Sequence, residues 1–390
     1  MMEAYLDNSA TTRALDSVRD IVVKTMMEDY GNPSSLHKKG LEAEHYVKEA
    51  AAQVAKTLKA SPSEIIFTSG GTESNNMAII GAARAGKRTG KHIITTTIEH
   101  ASVYNVFGHL EEEGWKVTYI PVDEHGHVKT EALLSAVDEE TALVSVMYVN
   151  NEIGSVNPVG EIGALIKKKN PRTVFHVDAI QAYGKYRICP QKEHIDLLSV
   201  SGHKIHGPKG VGFLYVRQGT KILPVVFGGG QQKGMRSGTH NVPGIAGLGT
   251  AAEEIYRDHE ARIDAMYGIR ELFAGLVSEL PGVTVNGLPG RGSAPHVVSV
   301  SFEGVRAEVL LHALEEKGIY VSSGSACSSN HPALSGTLQG IGVRRELLDS
   351  TLRFSFSIFT TEEEIRYTVQ TLAGLLPVLR RYRRMEYVCP

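Results

Sequence analysis

One lysine in this sequence stands where a reactive amine could be held. Lys204 lies in Asp196-Leu-Leu-Ser-Val-Ser-Gly-His-Lys-Ile-His-Gly-Pro-Lys-Gly-Val-Gly212, in which an apolar strand-like run, Ile195–Val200, breaks at Ser201-Gly202. A glycine-rich turn and a second apolar strand, Val211–Val216, follow. An amine lodged between two buried strands is desolvated; this lowers its proton affinity and frees it to form a Schiff base. A solvated surface lysine is the alternative reading. Against it, Ser201 and His203 flank the amine with groups suited to a phosphate. An aldehyde carrying a dianionic phosphate, as in pyridoxal phosphate, asks for that combination.

Other segments offer matching chemistry. Ile65–Phe67 reads as a strand, Thr68-Ser-Gly-Gly-Thr-Glu-Ser74 as a turn and Asn75–Ala85 as a helix. Exposed N–H groups and the helix dipole at such a turn favour an anion, although a plain strand-to-helix turn fits equally well. The turn lacks a Gly-Lys-Ser/Thr ending and dinucleotide spacing, which argues against a nucleotide. Polar groups also follow other strands: Glu99-His100, Asn150-Asn151, and Asp178 with Gln181. Ser322-Ser-Gly-Ser-Ala-Cys-Ser-Ser329 holds almost nothing bulky and reads as an exposed loop that offers Cys327 as a thiolate nucleophile. Cys189 and Cys389 lack that context. His194, His203 and His206 are joined by no cysteine pair or His-Glu-x-x-His run, so no metal site is expected.

The elements that must position these groups alternate. Strands read at His92–Thr97, Lys116–Pro121, Ala142–Val149 and Thr173–Val177, separated by helical stretches such as Val159–Lys169. This order predicts a mostly parallel sheet flanked by helices, with functional residues at the carboxyl ends of its strands. A long connecting helix is expected from Val242 to about Leu280. Beyond it, a smaller α+β unit reads as strands His296–Phe302, Ile319–Ser322 and Thr351–Ser357 with a helix at Ala307–Lys317. A last helix is started by a Thr361/Glu364 capping box and ends in Arg380, Arg381, Arg383 and Arg384.

Composition sets the outer limits. The chain has 390 residues, 42% of them hydrophobic and 22% charged, with a formal net charge of −2. That length suits two domains, and the balanced charge suggests neither a nucleic-acid nor a membrane-surface partner. No apolar run approaches the ~20 residues of a membrane span. The start has no signal-peptide pattern, and the cysteines are odd in number, so a cytoplasmic protein is expected.

Taken together, the chain resembles the cysteine desulfurases of the iron–sulfur cluster assembly and nitrogenase-maturation type, within the class V aminotransferase branch of fold type I pyridoxal phosphate enzymes. The resemblance runs through Tyr5-Leu-Asp-Asn-Ser-Ala-Thr-Thr12, Tyr30-Gly-Asn-Pro-Ser-Ser35, Thr68–Ser74, Glu99-His100 and Asn150-Asn-Glu-Ile-Gly154. It continues in His176–Gln181, Ser201-Gly-His-Lys204, Gly234-Met-Arg-Ser-Gly-Thr239, Ser325-Ala-Cys-Ser328 and Leu352-Arg-Phe-Ser355. It implies an α/β fold: a large domain, residues 15–258, with a mostly parallel seven-stranded sheet, and a small α+β domain from residues 1–14 and 259–390. It also implies a homodimer that converts L-cysteine to alanine and passes the sulfur to an acceptor such as an iron–sulfur scaffold or sulfur carrier.

The resemblance also assigns roles. Lys204 would hold the cofactor and move the substrate α-proton, and Asp178 would pair with the ring nitrogen. His100 would stack on the ring and, as a catalytic group, shuttle a proton, and Gln181 would bond the ring's phenolic oxygen. Thr72 with the Gly71 amide, Ser201 and His203 would hold the phosphate, joined by Thr239 of the second subunit. Asn32, Asn151 and Arg353 would receive the substrate carboxylate. Cys327 would take the sulfur as a persulfide. A selenocysteine lyase or cysteine β-lyase on the same scaffold is the alternative; it would need Lys204 and Asp178 but not Cys327. Two stretches depart from the family pattern, Ser328–Ser335 and Phe354-Ser-Phe-Ser-Ile358.

Overall fold

The structure is a computed structural model that describes residues 2–323 and 335–386, without side chains beyond residue 381. Cys327, Cys389 and the segment 328–334 lie outside the described residues, as do the side chains of Arg383 and Arg384.

The chain begins with β1 (Ala4–Tyr5), α1 (Asp16–Met27), α2 (Lys38–Leu58), β2 (Ile65–Thr68), α3 (Gly71–Gly86), β3 (His92–Thr96) and α4 (Ala101–Glu112). It continues with β4 (Lys116–Ile120), α5 (Thr130–Ala136), β5 (Thr141–Met147), α6 (Val159–Lys169), β6 (Val174–Asp178), β7 (Leu197–Ser201) and β8 (Gly212–Val216). Next come α7 (Val242–Tyr256), α8 (His259–Ser278), β9 (Val283–Asn286), β10 (Val297–Phe302) and α9 (Ala307–Glu315). The last elements are β11 (Ile319–Tyr320), β12 (Ser322–Ser323), α10 (Gly336–Gly340), β13 (Thr351–Ser355) and α11 (Glu362–Glu386).

Seven strands form the main sheet in the order β2-β8-β7-β6-β5-β3-β4. Only β8 runs against its neighbours; the other pairings are parallel. Strand β5 is buried at every residue, as a central parallel strand covered on both faces must be, whereas edge strand β4 opens to solvent at Lys116. Period-two alternation divides the sheet's side chains between two cores. Val144, Leu198 and Phe213 enter one, with Val54 of α2 and Leu248 of α7. Their sequence neighbours Leu143, Leu197 and Leu214 enter the other, with Met77 of α3 and Phe107 of α4.

A separate core gathers Phe273, Val298, Val300, Leu310, Phe354 and Leu372 with Ala4 and Leu6 from the chain start. It backs a four-stranded antiparallel sheet, β12-β13-β10-β9, while β1 pairs in parallel with β11. The expected strand over 319–322 is thus two short strands in different sheets.

The expected long helix from Val242 is also two helices. The break falls at Arg257-Asp258, where Asp258 takes a left-handed conformation (φ 49°). Aspartate tolerates that geometry better than most residues, and no apolar-pattern signal marks it. The capping box is present: the Thr361 N–H donates to Glu364, whose own N–H donates to the Thr361 hydroxyl.

Candidate active site

Five strands of the main sheet end around a cavity of about 330 Å³. Its lining includes Gly71 and Thr72 beyond β2, His100 beyond β3, Met147 and Val149 at β5, Asp178 at β6, and Ser201, His203 and Lys204 at β7. Arg353 of β13, Asn151 and the segment Ser9-Ala10 close the other side. A parallel α/β sheet sets its ligands at this edge, where loops leave the strands and helix N-termini point inward.

The mouth of α3 is open to an anion. Its N-cap is Gly70, at φ 151°, a value that disfavours any side chain, and no side chain caps the helix. A Cβ on Gly71 would come within 2.2 Å of Ile180 Cδ1, so any larger residue would have to push the Ile180 side chain aside. Ser201 and His203 stand on the same cavity wall. Burial, aided by the Lys204, Lys209 and Lys185 cations, pushes His203 down to about 4, and its Nδ1 lies 3.2 Å from the Thr11 hydroxyl.

Asp178 is 4% exposed, and among the described residues it has no ion-pair partner. It accepts from Asn75 and from the Ile180 N–H, both at 2.9 Å. Burial raises its proton affinity against the pull of those bonds, His100 and Lys204. A buried carboxylate of this kind is suited to a cationic ligand. Opposite, the Lys204 ammonium donates to the carbonyls of Ser9 and Ala10, the latter at 2.8 Å. The His100 ring caps α4: Nδ1 accepts from the Ser102 N–H at 3.1 Å.

Arg353 is 5% exposed; Nη1 donates to the Asn151 carbonyl (3.0 Å) and Nη2 to Asp7 (2.9 Å). Among the described residues its buried Nε has no hydrogen-bond partner. Gln181 donates to the Ser9 carbonyl through Nε2, and its Oε1 lies 3.0 Å from His296 Nε2. Of the expected site residues among those described, Asn32 and Thr239 alone do not line the cavity; both are exposed.

The family model for class-V aminotransferases matches residues 4–367. The chain belongs to the class-V aminotransferase family. It is similar to the cysteine desulfurase IscS of Methanosarcina thermophila, 42% identical over 377 residues that cover 96% of this chain and 92% of that protein. Among solved structures it resembles a NifS-like protein at 40% identity and a TM-score of 0.92, covering 97% of this chain and all of that one. It also resembles SspA in complex with cysteine, at 33% identity and a TM-score of 0.80, covering 92% and 100% of the two chains.

The cofactor of this family, pyridoxal phosphate, fits the donor set. The α3 mouth with Ser201 and His203 suits its phosphate, Asp178 its cationic ring nitrogen, and the Lys204 amine its aldehyde. Three residues at this site carry no signal of a role in the sequence: Asp7 and Glu99 lie within the motifs that carry the resemblance, and His296 has nothing to mark it beyond its place at a strand start. Glu99 ties β3 to β5, accepting from the Thr96 hydroxyl (2.7 Å) and the Met147 N–H (3.0 Å). Burial pushes it up to about 8.

Proposed function

We propose that this chain is a pyridoxal phosphate-dependent cysteine desulfurase. It converts L-cysteine to L-alanine and passes the sulfur, as an enzyme persulfide, toward iron–sulfur clusters or other thio-cofactors. One observation carries the reading: the Lys204 amine and a buried carboxylate without an ion-pair partner, Asp178, share a cavity at the strand ends. It stands in a chain 42% identical to a cysteine desulfurase over nearly its full length.

When bound, the cofactor supplies an aldehyde for Lys204 and a cationic ring that draws electrons from the substrate α-carbon. Asp178 would hold the ring nitrogen, His100 would lie against the ring, and Gln181 would bond its phenolic oxygen. The Gly71 amide, Thr72, Ser201 and His203 bind the phosphate. Arg353 receives the substrate carboxylate together with Asn151 and Asn32; its buried Nε is the donor left for that anion. Lys204 Nζ takes the substrate α-proton. The Cys327 thiolate then attacks the substrate sulfur. An S–S bond would form as the C–S bond breaks, its electron pair staying on the β-carbon; protonation there and return of a proton from Lys204 to the α-carbon would complete alanine.

The working unit is a homodimer, with Thr239 completing the partner's phosphate site. Exposed apolar side chains support it: Met26, Met27, Tyr30, Leu36 and Leu41 between the end of α1 and the first turn of α2, and Phe227 at 79% exposure. Residues 15–258 form the cofactor-binding domain, and residues 1–14 with 259–390 the domain that brings Cys327. A cytoplasmic setting, with a scaffold or carrier protein as sulfur acceptor, suits a catalytic thiol that must stay reduced.

Cys327→Ala tests the reading against a lyase. The variant is expected to bind L-cysteine and shift the cofactor spectrum while releasing almost no alanine. Turnover at the wild-type rate would instead make the protein a β-lyase or selenocysteine lyase.

A further inference from the structure

A second lysine lies behind Lys204. Lys185 is 8% exposed, and its Nζ donates to the main-chain carbonyl of Lys204 at 2.7 Å. Among the described residues no carboxylate stands within ion-pair distance of it. Buried lysines are ordinarily paired, so an uncompensated one needs a reason. The two lysines border a small enclosed space of about 10 Å³, shared with Asn8, Thr12, His206 and His296.

We propose that Lys185 is a positioning residue for Lys204: it anchors the Lys204 peptide and, bordering the same enclosed space, competes with the Lys204 amine for charge, so that Lys204 can attack an aldehyde near neutral pH. This rests on the reading of Lys204 as the cofactor-binding lysine. The field around the amine is mixed. The Ser9 and Ala10 carbonyls favour its protonated form, as do the carboxylates of Asp7 and Asp178, both drawn down by Lys204. Those carboxylates are already engaged, Asp7 with Arg353 and Asp178 with Asn75 and the Ile180 N–H.

On the other side stand Arg353, Lys185 and, bordering the same enclosed space, Arg262. The histidines nearby add no counter-charge, because burial holds His203, His206 and His296 all below their usual range. Lys185 itself is pushed down to about 7, first by burial and then by Lys204. Coulombic coupling is reciprocal, so the same interaction disfavours a proton on Lys204. An amine beside a second cation is an established route to a nucleophilic lysine at neutral pH.

The test uses the full-length chain freed of cofactor and mixed with pyridoxal 5′-phosphate. The rate of appearance of the visible absorption band is followed as a function of pH. Lys185→Gln keeps a hydrogen-bond donor but loses the charge, and its midpoint is expected about one pH unit or more above wild type. Lys185→Arg keeps the charge, and its midpoint is expected at or below the wild-type value. A Gln variant slower at every pH but with an unmoved midpoint leaves only the anchoring role and overturns the proposal. If neither variant folds, competitive acetylation of the wild type decides: Lys204 must titrate below the surface residue Lys209, and equal midpoints overturn the proposal. A wild type that never captures the aldehyde on Lys204 refutes the functional reading itself, which is a different result.

Discussion

Glu99 and Asp7 show how burial at this site raises a carboxyl group's hold on its proton. Glu99 is buried, and one of its carboxyl oxygens has no hydrogen-bond partner. Its carboxyl is raised to about 8 from 4.5, so across that window the folded chain keeps a proton that the unfolded chain releases. The unfolded state then binds fewer protons, and stability falls as pH rises, by at most about 1.4 kcal/mol per pH unit from this group. Above about 8 both states are ionised and the slope vanishes. Glu99→Gln removes the titration while keeping an acceptor for Thr96 and Met147. Unfolding curves from about pH 5 to pH 8 should therefore show a flatter pH dependence and a variant that gains on wild type as pH rises. Parallel curves would mean that Glu99 is ionised in the folded chain. Asp7 differs in having a cationic partner, Arg353, yet burial still raises its proton affinity. The pair holds the arginine fork with Nε unpartnered, which lowers the ordering cost when a carboxylate arrives.

At the scale of elements, the site depends on how closely β8 and the Gly70-Gly71 turn approach each other. Gly212 pairs with both Thr68 and Ser201. A Cβ there would lie 2.4 Å from the Val200 carbonyl oxygen and 2.9 Å from Gly70 Cα. Those are backbone atoms of a central strand and of the proposed phosphate turn, and neither can swing aside as a side chain end could. Gly212→Ala should therefore cost roughly 1–3 kcal/mol of stability, the usual range for an overpacked core. The same displacement reaches the α3 mouth, so pyridoxal phosphate affinity should fall too. Urea unfolding and equilibrium cofactor titration measure the two effects; normal stability with normal affinity would mean the strands can part without consequence.

At the scale of the whole molecule, the site lies where two cores meet. Arg353 belongs to the antiparallel sheet, Lys204 and Asp178 to the mostly parallel one, and the chain start threads between them through Asp7 and Ser9. His296, beside β10, reaches Gln181 and ties the smaller sheet to the larger one. Within one chain Thr239 remains outside the cavity, and several apolar side chains from Met26 to Leu41 stay exposed. Met27, 71% exposed, lies at the end of α1. In the proposed dimer, with that surface at the interface, Met27→Asp would bury a charge without a partner. Sedimentation should give about twice the 42.3 kDa chain mass for wild type and a shift toward monomer for the variant. Pyridoxal phosphate retention should weaken in parallel. A wild type that sediments as a monomer removes Thr239 from the proposed phosphate site.

The sequence by itself determined what depends on near neighbours. Alternation of apolar residues dictates the strands, glycine and capping residues their ends, and parallel topology the edge of the sheet where Lys204, Asp178, His100 and Thr72 meet. The break at Asp258 escaped because a single residue's left-handed backbone leaves no mark on an apolar pattern. Tertiary structure alone decided the contacts between distant segments. Asp7 meets Arg353 across 346 residues, and His296 meets Gln181 across 115. Lys185 and Lys204 are only 19 residues apart, yet a strand lies between them and no periodicity joins them. Such pairings follow from how whole sheets pack, and the burial that shifts their charges exists only once that packing is complete.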